Sequence, residues 1–126
     1  MTEDVTLTVP AEPSQVSLAR SLAAAMSARA DLPLDQLEDV RLAVDEAASQ
    51  LVLDAPPGTD LTCVFRLTAD GLSVRLSAPS TSGRIPPTGT FSWVVLTALV
   101  DAVAAHESEG VVTLDLRVVR DVAVDA

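Results

Sequence analysis

Arg41-Leu42-Ala43-Val44-Asp45-Glu46-Ala47-Ala48-Ser49-Gln50 is the stretch from which the rest of this chain is best approached. Its apolar residues recur at helical spacing, and Glu46 and Gln50 stand one turn apart on one face, where both reach a single ligand. A carboxylate followed four residues later by a side-chain amide suits a general base beside a metal-ion ligand, as some ATP-handling folds require. Two solvated positions on an amphipathic helix have the same spacing, so the pair alone leaves both meanings open.

Around the decapeptide, Leu37, Val40, Val44, Ala47 and Leu51 mark one helix face, and Asp35 and Glu38 have capping-box spacing at its start. This helix is predicted to end before Pro56-Pro57-Gly58. Upstream, Val16, Ala19, Leu22, Ala23 and Met26 predict an amphipathic helix over residues 14–30, and alternating Val5, Leu7 and Val9 predict a strand closed by Pro10. Downstream, Leu61-Cys63-Phe65-Leu67 and Leu72-Val74-Leu76-Ala78 flank a turn at Ala69-Asp70-Gly71, which predicts an antiparallel hairpin.

A loop of about a dozen residues follows, from Pro79 to Thr90, long enough to carry function. Residues 91–106 predict a third helix through Trp93, Leu96, Leu99, Val100 and Val103, with His106 at its exposed end. Val112, Leu114, Leu116 and Val118 predict the last strand, and the tail beyond Val118 is expected to fray. Every strand alternates, so the sheet has one buried face for the three helices to cover. The expected fold class is α/β: a two-layer sandwich, with a mostly antiparallel mixed sheet and three helices on one face. One domain spans residues 1–126.

A chain of 126 residues buries roughly 65 to 70% of its unfolded surface, enough to fold without metals or disulfides. Its net charge is −10, and its basic residues are eight arginines with no lysine. Phosphate backbones need clustered cations, so direct nucleic-acid binding is not expected, whereas a basic protein partner suits the acidic surface. The negative charge also serves solubility alone.

Lone Cys63 excludes a disulfide framework and a cysteine zinc site. The Met1-Thr2-Glu3-Asp4 start does not look like a signal peptide, and no apolar run approaches a membrane span. A cytosolic, reduced protein without membrane contact is the resulting expectation. A Walker A loop lacks its lysine, no two glycines have Gly-x-Gly spacing, and a catalytic triad would depend on the single His106.

The element order, with Arg41 to Glu46 on the second helix and Phe91 to Leu99 on the third, resembles the anti-sigma factors of the RsbW type. These are serine/threonine kinases on the ATPase fold shared with histidine kinases, gyrase and Hsp90, and the two segments look closest to the actinobacterial branch. The resemblance implies that Glu46 matches a catalytic general base and that Gln50 stands where the family has a magnesium-binding asparagine. The chain contains no Asn, and a glutamine's extra methylene displaces its oxygen in a site that demands near-ideal octahedral geometry.

The family's adenine-binding aspartate would lie just after the second hairpin strand, where residues 76–83 contain no acid. Its Gly-x-Gly before the last helix is replaced by Thr90-Phe91-Ser92, with Gly89 ahead of it. Each loss costs about 1 to 3 kcal/mol. Glu46 is therefore expected to be a vestigial base, with Gln50, Gly89, Thr90 and Ser92 at degenerate ATP/Mg²⁺ positions. No cofactor is expected, ATP with Mg²⁺ being the alternative.

Ser17-Leu18-Ala19-Arg20 resembles a family segment whose arginine touches both the sigma factor and the antagonist, which makes Arg20 a partner-contact candidate. Asp31, Asp35, Glu38 and Asp39 form an acidic set suited to basic residues of a sigma factor. The expected function is an anti-sigma factor, a homodimer by family resemblance, that sequesters a sigma factor until a STAS-type anti-anti-sigma antagonist releases it. The alternative is an active serine kinase acting on that antagonist. A ligand-sensing or structural α/β domain remains a third reading.

Overall fold

A computed structural model describes residues 4–122 of the chain. The elements run β1 (Asp4–Pro10), a 3₁₀ turn (Pro13–Gln15), α1 (Val16–Arg29), α2 (Leu34–Leu53), β2 (Asp60–Thr68), β3 (Gly71–Pro79), α3 (Phe91–Leu99), β4 (Ala102–Ser108) and β5 (Val111–Val119). The five strands form one sheet in the order β1-β2-β3-β5-β4, and every neighbouring pair is antiparallel. The three helices cover one face, so the α/β two-layer fold is as the alternation implies.

The core lies between the layers. Phe65, Leu61, Leu72, Leu76, Leu114 and Leu116 point inward from the sheet, and Met26, Val40, Val44 and Leu96 meet them from the helices. Ala43, Ala47 and Ala48 on α2 and Ala19 and Ala23 on α1 are fully buried, and such small side chains let two helix backbones approach. Trp93 is half-buried against this core.

Residues 91–106 do not form one helix. α3 stops at Leu99, Val100 is extended (φ −133°, ψ 168°), and residues 102–108 form the edge strand β4 on β5. Val103 fits both periods, and a long-range backbone ladder with β5 decides between them. Ser108 pairs with Val111 across a two-residue turn in which Glu109 (φ 53°) and Gly110 (φ 80°) are left-handed, the geometry of a primed hairpin turn. His106 consequently lies on an edge strand and not at a helix end, its Nδ1 3.8 Å from Asp115.

Two termini also differ from expectation. α2 begins at Leu34 with Pro33 as N-cap and no side-chain cap, and Asp35 sits inside its first turn. No capping box forms, because the Leu37 N–H already bonds the Pro33 carbonyl and starts the helix ahead of Asp35. The chain beyond Val118 is tied down as far as Asp121. Buried Gln36 donates to the Val119 carbonyl (2.5 Å) and accepts from the Asp121 N–H (3.0 Å), while Arg120 donates to the Ala30 carbonyl (2.8 Å). Residues 123–126 lie outside the described residues.

Candidate functional site

Glu46 sits midway along α2, half-buried, on the side where α3 packs. The start of α3 is set by Thr90, whose hydroxyl accepts the Trp93 N–H (3.2 Å) and donates to the Pro87 carbonyl (3.0 Å), a side-chain N-cap that needs this residue type. The cap places Ser92 opposite Glu46, and the Ser92 hydroxyl donates to Glu46 Oε1. Two of the site residues expected from the sequence, 46 positions apart, are thus joined directly.

Gln50, one turn beyond Glu46, borders a cavity of about 420 Å³ between the C-terminal half of α2, the end of β3 and the loop of residues 80–90. Its amide nitrogen is buried without a hydrogen-bond partner among the described residues. Gly89 lies in open space and makes no contact that a Cβ would disturb. Glu46, Gln50, Thr90 and Ser92 therefore lie along one side of the α2–α3 junction, with Gly89 exposed just ahead of it.

Asp54, absent from the sequence-based candidates, proves central to this cavity. It ends α2, and its carboxylate accepts hydrogen bonds from the hydroxyls of Ser80 and Ser82 (2.7 Å for Ser82). Its carbonyl accepts the Thr81 N–H at 2.7 Å, so the base of the loop is anchored to the helix end. An acid thus reaches the end of β3 from α2, although residues 76–83 carry none. Asp54 and Ser80 are 26 residues apart, and no local pattern connects them.

The hydroxyl of Ser80, and then that of Ser82, stabilises the charged form and holds the Asp54 pKa below 3.8. A carboxylate with a depressed folded-state pKa contributes stability above its unfolded value and loses it as pH falls through the folded one. The anchor is therefore expected to hold at neutral pH and to release only below pH 3.8. An NMR titration tests this: the Asp54 carboxyl and the Gly83 amide, which donates to Ser80, should shift together. A midpoint at or above the ordinary value would contradict the anchor.

Arg20 projects from α1 onto α2, where it pairs with Asp45 at 3.2 Å, the residue beside Glu46. The acidic set is not gathered around it. Asp35 lies ten residues earlier on α2, about 15 Å along the axis. Asp31 occupies the left-handed corner between α1 and α2 (φ 57°), and Glu38 pairs with Arg41. Arg20 and the acids therefore belong to two ends of the α1–α2 surface.

Other candidate chemistry is disposed of by burial and pairing. Burial pushes the Cys63 thiol up to about 12, which suppresses the reactive thiolate at neutral pH. Arg66, Arg75 and Arg117 line the open sheet face and pair with Asp4, Asp115 and Asp70 at 2.7, 2.7 and 3.2 Å. No group of three His, Cys, Asp or Glu residues among the described residues could hold a metal ion. No helix among them is long and apolar enough to cross a membrane.

Residues 9–118 match the family model described as the histidine kinase-like ATPase domain. The chain is 38% identical over 99 residues to the anti-sigma-F factor RsbW of Mycobacterium tuberculosis, covering 79% of this chain and 59% of that protein. It is 35% identical over 85 residues to the serine-protein kinase RsbW of Listeria monocytogenes, covering 65% of this chain and 54% of the relative. The chain therefore spans somewhat over half the length of these relatives. A crystal structure of the RsbU and RsbW domains of a Mycobacterium tuberculosis protein superposes with a TM-score of 0.72 at 17% identity, over 96% of this chain and 34% of that one. That likeness supports the fold.

Proposed function

The chain belongs to the histidine kinase-like ATPase domain family, and on that premise we propose that it is an anti-sigma factor with weak or lost ATP binding. It captures an alternative sigma factor by direct contact and yields it to a STAS-type anti-anti-sigma antagonist. The relative named anti-sigma-F factor supports the partner class. A cytosolic homodimer is the assembly that the family resemblance suggests. Sequestration works by occlusion and needs no turnover.

The contact between Ser92 and Glu46 carries the non-catalytic part of this reading. A general base must accept the proton of an attacking hydroxyl, and here the carboxylate already accepts one from the protein's own serine. Gln50 stands where the family has asparagine, and its extra methylene displaces the amide oxygen from the near-ideal octahedral position that Mg²⁺ demands. Thr90 caps α3 with its side chain, which occupies a helix start where phosphate oxygens would otherwise meet backbone N–H groups. These residues do not fit Mg·ATP.

The rival reading is an active serine kinase, favoured by the position of Glu46 on α2 and by the relatives named serine-protein kinase. Calorimetry with Mg·ATP and incubation with labelled ATP and the antagonist separate the two. We expect no binding in the micromolar range, and no transfer of label to the antagonist from either the native chain or Glu46→Ala. Micromolar affinity, or labelling that Glu46→Ala abolishes, would establish the kinase instead. Recovery of a sigma factor on the tagged native chain tests the partner class, and recovery of none removes it.

A further inference from the structure

We propose that the free edge of β4 is a self-association surface, where a second copy of this chain adds its own β4 antiparallel and joins the two sheets into one. β4 pairs with β5 on one side and has no strand on the other among the described residues. Such a row of open backbone N–H and C=O groups pairs readily, and folded proteins commonly blunt it with proline, lysine, a bulge or a covering element. β1, at the opposite edge, ends in Pro10 and holds Asp4 in an ion pair with Arg66 at 2.7 Å. β4 has neither proline nor lysine, and its unbroken register from Ala102 to Ser108 leaves no bulge. Its one acid, Glu107, is engaged in its own hairpin, where it accepts the Gly110 N–H at 2.9 Å.

The register of the contact follows from the turn. A two-residue turn closes on a hydrogen-bonded pair, here Ser108 and Val111, so Ala102, Ala104, His106 and Ser108 direct their backbone groups to β5. Val103, Ala105 and Glu107 direct theirs outward. A dyad through Ala105 uses all three, since Ala105 meets Ala105 of the second copy and Val103 meets Glu107 of the second copy. Ala104 then stands opposite His106 of the second copy, small against large, and no two like charges face each other within the strand.

The helix above this edge supplies a second observation. α3 packs on β4, and residues 91–100 carry no charged side chain in a chain of which 21% is charged. A helix apolar nearly all round belongs in an interior. Yet Leu96 alone in α3 is fully buried, while Phe91 is 83% and Val94 55% exposed. Val94 stands about 200° round the helix from Ser92, whose hydroxyl meets Glu46, so Val94 points away from α2. A dyad perpendicular to the sheet keeps both helical layers on one face and sets the two α3 helices side by side, where these side chains leave water. A charged partner finds no complementary charge on α3, whereas a second copy brings the same uncharged helix.

This interface rests on the homodimer reading, and sedimentation velocity on the full chain separates the two. We expect a dimer whose dissociation constant rises at least tenfold in Ala105→Pro, which removes the outward N–H at the dyad and leaves the β5 ladder intact, with unchanged far-UV circular dichroism. Val94→Asp should weaken it at least tenfold as well. In the native chain, the amides of Val103, Ala105 and Glu107 should resist hydrogen exchange in the dimer and lose that protection on dilution, while those of Ala104 and His106 stay protected. A dimer that neither substitution weakens, or in which those three amides exchange freely, overturns this interface and leaves the homodimer reading standing. A chain that sediments as a monomer throughout overturns both. Protection of the three amides only when the sigma factor is added would assign the edge to that partner and overturn self-association.

Discussion

Gly71→Ala is expected to destabilise the fold by about 2 to 5 kcal/mol, a large share of a small domain's stability. Gly71 opens β3 beside the end of β5, and a Cβ there would lie 2.0 Å from the Val118 carbonyl oxygen, 3.0 Å from its carbon and 3.2 Å from the Arg120 nitrogen. All three atoms are backbone, so no rotamer change relieves the clash. β3 and β5 would have to part where the Arg120 N–H bonds the Asp70 carbonyl at 2.7 Å and where Gln36 holds the chain after Val118. The cost combines lost ladder bonds with backbone strain.

Urea denaturation measures it, with Gly58→Ala as the comparison. Gly58 has φ 81° but open space around it, so its substitution carries only the left-handed penalty of about 1 kcal/mol. A Gly71→Ala loss no larger than that of Gly58→Ala would show that the close approach is not limiting.

Arg20→Glu is expected to weaken capture of the sigma factor about 100-fold, equivalent to about 2.7 kcal/mol. Arginine anchors are enriched among the residues that dominate interfaces, and reversing the charge adds repulsion to the lost contact. The pair with Asp45 is partly open to water, with side chains 42% and 34% exposed, so its removal should change folding stability by no more than about 1 kcal/mol. Binding anisotropy with the cognate sigma factor, run beside thermal unfolding, separates the two effects. An unchanged dissociation constant would remove Arg20 from the interface. A fall in both affinity and stability would assign it a structural role.

The parts of the site that were legible in advance share one physical trait: each depends on residues close in sequence. Glu46 and Gln50 stand one turn apart because helical geometry places i and i+4 together. The helical spacing of Trp93, Leu96 and Leu99 is likewise local, and α3 does begin at Phe91 as that spacing predicts. Asp54 was not legible, because its partners Ser80 and Ser82 come from another element. The Ser92–Glu46 contact is of the same kind, for both residues were candidates but only the packing of α3 on α2 joins them.

The misreading of residues 91–106 as one helix has a similar origin. Leu96, Leu99, Val100 and Val103 satisfy a helical period, while Val103 and Ala105 also alternate inward along β4. The Glu109-Gly110 turn was the available local clue, since a glycine between two alternating runs suggests a hairpin. Pairing with β5 settled the matter, because that edge would otherwise leave a row of backbone groups without partners.

By itself the sequence determined the two-layer α/β class, the amphipathic faces of α1 and α2, the β2–β3 hairpin and the family resemblance carried by residues 41–46 and 91–99. Periodicity and turn chemistry are properties of a short window, and burial on one face follows from them. Only the tertiary structure decided that Asp54 anchors the loop, that Ser92 occupies Glu46, that Arg20 and the acidic set stand apart, and that the Gly71 backbone touches β5. Those outcomes depend on contacts between elements distant in the chain, and such contacts exist only once the helices have packed onto the sheet.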